Sequence, residues 1–161
     1  MKLVIRDATP SDAVSACQVM QRSIAELCVA DHRNDPAILS KWLGNKTPEI
    51  FLTWIAQKGN SLLVVVEDQN VLAVGSVTDV GNITLNYVSP DFRFHGISKA
   101  LLAALEERAV QRGCTALKLN STETARRFYL SSGYRETGQP AGHFGTNSGY
   151  PMSKALGSPK A

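Results

Sequence analysis

Apolar residues along this chain switch between two spacings, every second position and every third or fourth, and the switches divide it into elements. Lys2–Ala8 opens as a short strand. Thr9-Pro10-Ser11-Asp12 predicts a helix start, with Thr9 as the cap, Pro10 at the first helical position and Asp12 three residues after the cap. Val14, Cys17, Met20, Ile24 and Leu27 or Cys28 then fall on one helical stripe. Residues 30–34, ADHRN, form a polar break. Asp35-Pro36 repeats the cap signature and opens a short helix through Leu39 and Trp42 to Leu43, stopped by Gly44-Asn45. Thr47-Pro48-Glu49 opens another, with Ile50, Phe51, Trp54 and Ile55 on one face.

Strand spacing then takes over. Ser61–Glu67 is a near-continuous apolar run, which predicts a strand buried on both faces. Val71–Thr78 and Asn82–Val88 follow after tight turns, so the three strands read as an antiparallel meander. In the last of them Ile83, Leu85 and Tyr87 alternate with Asn82, Thr84 and Asn86. Ser89-Pro90-Asp91 ends it, because proline has no N–H for the ladder. Ile97, Leu101, Leu105 and Ala109 recur at every fourth position of a long helix to Arg112, closed by Gly113. Ala116–Asn120 is a strand reached through that helix, hence expected parallel to the strand before it. Ser121-Thr122-Glu123 caps a last helix with Ala125, Phe128 and Tyr129 on one face. Strands at 134–137 and 150–156 flank a glycine-rich stretch, 139–149. The fold class expected is α+β (or α/β): a mixed sheet of six or seven strands, helices on both faces, and one parallel pair near the middle. Ligands in such sheets sit where neighbouring strands diverge, beyond their carboxyl ends.

Composition narrows the function classes. A length of 161 residues with 43% apolar and 19% charged positions predicts one folded domain over 1–161. The formal charge is +3 and basic residues form no run, so nucleic acid is not an expected partner. No apolar run approaches the roughly 18 residues that span a bilayer. The N-terminal MKLVIRDATP has no apolar signal segment, so no membrane partner and a cytoplasmic location are expected. Cys17, Cys28 and Cys114 are too few and too scattered for a metal site or a disulfide framework, and Cys17 and Cys114 are expected as small buried hydrophobes. No G-x-x-x-x-G-K-[ST] phosphate loop occurs.

The chemistry gathers where the meander meets the long helix. Gly96 stands just ahead of the helix face. The N–H groups from Phe94 through Lys99 precede any helical carbonyl partner. Free amides and the helix dipole favour an anion there, and glycine lets a phosphate approach the main chain without a Cβ between.

The order of elements, together with two motifs, resembles the GCN5-related N-acetyltransferases. Their pyrophosphate loop, R/Q-x-x-G-x-G/A after a strand ending in V-x-P, is matched by Val88-Ser89-Pro90 and then Arg93-Phe94-His95-Gly96-Ile97-Ser98, with Ser98 in place of Gly or Ala. Their second motif, N/S-x-x-A-x-x-F/L-Y-x-x-x-G-F/Y, is similar to the stretch from Thr122 through Ala125, Phe128 and Tyr129 to Gly133-Tyr134, with Thr122 where Asn is frequent. Pro151–Leu156 resembles the last family strand.

The resemblance implies an enzyme that moves an acetyl group from acetyl-CoA directly to an amine of a small molecule or peptide. It implies that the main chain at Val88 pairs with the pantetheine arm. The N–H groups of Phe94, His95, Gly96, Ile97, Ser98 and Lys99 would hold the diphosphate, with Arg93 and Lys99 adding charge and Thr122 at a coenzyme-binding position. Tyr129 would hydrogen-bond the departing sulfur. The family's strand carboxylate is missing: the polar row is Asn82, Thr84, Asn86, and Asn86 can position a group but cannot take a proton. Asp31, His32, Asp79 and His143 remain as bases, His32 foremost for its pKa and its place beside the expected acceptor site, with a water relay as competitor. Trp42 and Trp54 read as core or lid packing. The missing carboxylate also motivates an alternative, a non-catalytic acyl-CoA-binding regulatory module. The acceptor is expected not to be strongly cationic, and a second copy of the chain is a possible partner in a homodimer.

Overall fold

The computed structural model describes residues 2–93, 95–142 and 149–157. Strand β2 (Asn60–Glu67) is buried from Leu62 to Val66 because it lies inside a sheet. On one side it pairs with β1 (Val4–Asp7), on the other with β3 (Asn70–Thr78), both antiparallel. β4 (Ile83–Val88) pairs antiparallel with β3 and completes a four-stranded sheet. Successive residues of β2 point to opposite faces. Leu62, Val64 and Val66 pack with Cys17, Met20 and Phe51 of α1 (Ala13–Leu27) and α4 (Pro48–Ala56). Leu63 and Val65 pack with Leu101 and Leu105 of α5 (Ile97–Gln111). The alternation therefore puts a helical layer on each face, and each fully buried Leu or Val contributes about 1.5–3 kcal/mol. Gly75 lets α5 come close, since a Cβ there would lie 3.0 Å from Leu105 Cδ1 and 3.1 Å from Leu101 Cδ2.

Three more strands form a second antiparallel sheet in the order β5 (Ala116–Ser121), β7 (Tyr150–Ala155), β6 (Arg135–Glu136). The expected parallel pair is reduced to one bridge, Asn82 to Lys118, with Lys118 N–H donating to the Gly81 carbonyl at 2.7 Å. Beyond that bridge β5 pairs with β7 rather than with β4. The two strands splay apart toward their carboxyl ends and leave an opening between the sheets. A bulge helps the splay: Ser76 faces Leu85 and Val77 faces Ile83, so Thr84 is the extra residue, and an extra residue bends its strand.

Most predicted boundaries hold, with three differences. Residues 30–34, expected as a polar break, overlap α2 (Val29–His32), in which Asp31 and His32 are buried. The first long helix begins as a 3-10 turn, Pro10–Asp12, and Val14 is exposed, about a quarter-turn off the face formed by Ala13, Cys17, Met20 and Ile24. The last helix, α6 (Arg126–Ser131), starts later than its predicted cap because β5 runs on to Ser121. Cys17 and Cys28 are buried, whereas Cys114, expected inside, is only half-buried. Among the described residues no helix is long and apolar enough to cross a membrane.

Candidate active site

Two cavities meet at the splay. The first, about 740 Å³, lies between β4, the start of α5 and α6. The second, about 1070 Å³, lies on the side of α3 (Pro36–Leu43) and α4, with β7 beyond. Thr84, Leu85, Tyr87, Asn120 and Thr122 line both, so the strand ends form a shared wall.

At the floor of the first cavity Gly96 has φ +76°, a left-handed conformation that favours glycine, and nothing lies within 4 Å of where its Cβ would be. Ala100 N–H donates to the Gly96 carbonyl at 3.1 Å. The helical ladder thus begins at Ala100, and the amides of Ile97, Ser98 and Lys99 stand ahead of it, at the positive end of the dipole. Arg93, Lys99 and Arg127 line the same cavity, and no Asp, Glu or His does among the described residues. Such a cradle suits a di-anion.

Tyr129 stands at the inner end of this cavity. Its ring packs against Phe128 and Tyr134 with centroids 5.3 and 5.5 Å away. Asn86 Nδ2 donates to its hydroxyl at 2.8 Å. The phenolic oxygen is thereby occupied as an acceptor and its own hydrogen is left to donate elsewhere. Burial pushes the phenol up to about 12, with the Asn86 bond acting the other way. Cys28 lines the same wall, and burial pushes its thiol up to about 12 as well, so it is a neutral wall group near neutral pH.

The family model for the acetyltransferase (GNAT) domain matches residues 20–156. The chain belongs to the GNAT acetyltransferase family. Its fold is that family's as well. A GCN5-related N-acetyltransferase from Rhodopseudomonas palustris superposes with a TM-score of 0.83 at 21% identity, covering 97% of each chain. The PaiA N-acetyltransferase of Thermoplasma acidophilum, solved with coenzyme A, gives 0.84 at 17%, covering 97% of this chain and all of the other, 100%. The ribosomal-protein-S18-alanine N-acetyltransferase of Escherichia coli gives 0.72 at 18%, covering 99% and 97%. No curated protein sequence matches the chain significantly.

The structure brings together Asn86, Val88, Arg93, Gly96, Ile97, Ser98, Lys99, Thr122 and Tyr129 around one cavity. His95 belongs to the loop but lines neither cavity; its ring lies 6.1 Å from that of Phe92. Phe94 and His143 lie outside the described residues. His32 departs from expectation. It is no solvated loop residue: it is fully buried, Nδ1 accepts from Asn34 N–H at 2.9 Å, and Nε2 donates to the Ile24 carbonyl at 2.8 Å. Both nitrogens are engaged and it lines neither cavity. Asp31 accepts from Glu123 N–H at 2.7 Å, Thr124 N–H at 3.2 Å and Thr124 Oγ1 at 2.6 Å, so it braces the entry to α6. Asp79 faces Arg112 at 3.8 Å, away from the cavities.

Three contributors escaped the sequence reading. Arg127 had no signal separating it from a solvated helix residue. Tyr87 counted as an apolar strand position, yet its hydroxyl accepts from Trp42 Nε1 at 3.1 Å and ties α3 to β4. Lys46, buried in the second cavity's wall, sits between a helix stop and the next cap, where periodicity says nothing.

Proposed function

We propose that this protein transfers an acetyl group from acetyl-CoA to an amine by direct attack at the β4–β5 opening. The observation that carries this reading is the Asn86–Tyr129 hydrogen bond at the inner end of a cation-lined cavity floored by the left-handed Gly96 turn. The amides of Ile97, Ser98 and Lys99, with Arg93 and Arg127 nearby, would hold the diphosphate. The main chain at Val88 would pair with the pantetheine arm. Acetyl-CoA bound this way would supply an activated thioester at the splay. A structural neighbour of this fold, the PaiA enzyme, was solved with that coenzyme.

In this reading Tyr129 donates its hydroxyl hydrogen to the leaving sulfur but does not give the proton up. A thiol of pKa ~8.5 is the stronger acid, so full transfer from a phenol at about 12 is uphill by roughly 5 kcal/mol. The net proton comes from the attacking amine. A water relay would carry that proton from the amine to the departing sulfur; among the described residues neither cavity is lined by an Asp, Glu or His that could take it directly.

That same lack of a carboxylate favours the second reading, a non-catalytic acyl-CoA-binding module. Release of free CoA thiol, followed with a panel of amines, separates the two. Turnover with at least one amine supports transfer; coenzyme binding with no thiol release from any amine supports the module.

A further inference from the structure

The chain has four tyrosines, and their hydroxyls fall into two groups. Tyr134 and Tyr150 donate to carboxylates, those of Glu106 and Glu123. Tyr87 and Tyr129 instead accept from a side-chain N–H: Tyr87 from Trp42 Nε1 at 3.1 Å, Tyr129 from Asn86 Nδ2 at 2.8 Å. A phenol whose oxygen is engaged in this way still has its hydrogen to give. Neither Tyr87 nor Tyr129 gives it to a described residue. Tyr129 lines the first cavity and not the second, whereas Tyr87 lines both. The Tyr87 ring is held between two apolar clusters, one with Met20 and Phe51, the other with Ile24, Cys28 and Trp42. With the indole bond this fixes the hydroxyl before any ligand arrives, and a donor already in place needs no reorganisation during a reaction. Burial pushes the phenol well above its ordinary range, the Trp42 bond acting the other way, so Tyr87 keeps its proton.

Acyl transfer places developing negative charge on two atoms, the departing sulfur and the carbonyl oxygen of the tetrahedral intermediate. We propose, resting on the acyl-transfer reading, that Tyr87 is a second catalytic residue, which donates its hydroxyl hydrogen to that carbonyl oxygen while Tyr129 serves the sulfur. The two phenols are told apart by the cavities they line. The sulfur arrives with the coenzyme through the first cavity, where Tyr129 stands. The carbonyl carbon must meet both coenzyme and amine, and Tyr87 belongs to the wall that the two cavities share. As the amine nitrogen bonds to that carbon, the C=O electron pair moves onto oxygen, beside the Tyr87 hydrogen. When the pair returns, the C–S bond breaks and its electrons leave with sulfur, which gains the amine's proton through water. Tyr87 gives a hydrogen bond throughout and loses no proton.

The test is isotope-edited difference infrared spectroscopy of acetyl-CoA labelled at its carbonyl carbon, bound to the protein without an amine. A hydrogen bond to the carbonyl oxygen lowers the C=O stretching frequency. The wild type should show the band displaced downward on binding. Tyr129→Phe should keep the displacement, and Tyr87→Phe should lose it. Tyr87→Phe leaves Trp42 Nε1 without its acceptor, so the double variant Trp42→Phe, Tyr87→Phe is measured beside it, since removing both partners leaves no orphaned donor. It should lose the displacement too. With an amine that turns over, Tyr87→Phe should lower kcat about a hundredfold and change KM for the amine little, as loss of one preorganised oxyanion donor implies. No displacement in the wild type, a displacement that survives Tyr87→Phe, or a loss confined to KM for the amine would overturn the proposal. Acetyl-CoA that gives no heat in calorimetry would sink the acyl-CoA reading and the proposal together; acetyl-CoA bound with its carbonyl band unmoved would sink the proposal alone.

Discussion

Tyr129 and Asn86 are 43 residues apart in sequence and 2.8 Å apart in space. The pairing leaves the phenol one donor and one direction in which to use it. Tyr129→Phe keeps the ring packing and removes only that donor. Steady-state kinetics should show kcat lowered about a hundredfold with KM for acetyl-CoA little changed. Unchanged kcat would assign Tyr129 to packing. The same variant carries a stability signature. Folding raises this phenol from 10.0 to about 12, so its contribution is complete below about pH 10 and is lost as pH rises through about 12. Urea denaturation should therefore show the wild type losing stability relative to Tyr129→Phe across that window. Tyr129 was legible as a candidate from its motif, and it lines the cavity. The engagement of both His32 nitrogens was not, because the partner atoms, Ile24 O and Asn34 N, are main-chain groups that no side-chain pattern reveals.

At the scale of elements, the site depends on how α6 is delivered. Asp31 in the short helix α2 holds the amides of Glu123 and Thr124, and Thr122 Oγ1 accepts from Ala125 N–H at 3.1 Å. Together these fix the turn between β5 and the helix that bears Tyr129. Asp31→Ala leaves three donors without their acceptor. It should destabilise the fold by about 2–3 kcal/mol in urea and raise KM for acetyl-CoA more than it lowers kcat. A variant as stable as the wild type would show that the turn needs no brace. Caps and meander were readable because Pro, Gly and alternation act over a few residues. Asp31 was not, since its partners lie 92 and 93 positions away and its own segment, ADHRN, looks like a solvated break. The late start of α6 has the same origin: pairing with β7 holds Ser121 in the strand against its preference as a cap.

For the molecule as a whole, the decisive feature is the single parallel bridge at Asn82–Lys118 and the opening beyond it. The order of strand, helix and strand predicted a parallel pair; that the pair lasts one residue follows from β7 competing for β5 and from the Thr84 bulge turning β4 away. The net charge of +3 also said little by itself. Its distribution says more: Arg93, Lys99 and Arg127 line one cavity, Lys46 and Lys118 the other. The central claim is that a coenzyme seated on the Gly96 turn delivers its sulfur to Tyr129. A crystal structure with coenzyme A tests it most directly. The account predicts the diphosphate on the amides of Ile97–Lys99 and the sulfur within about 3.5 Å of the Tyr129 hydroxyl. A coenzyme bound elsewhere, or a sulfur beyond the reach of that hydroxyl, would contradict it.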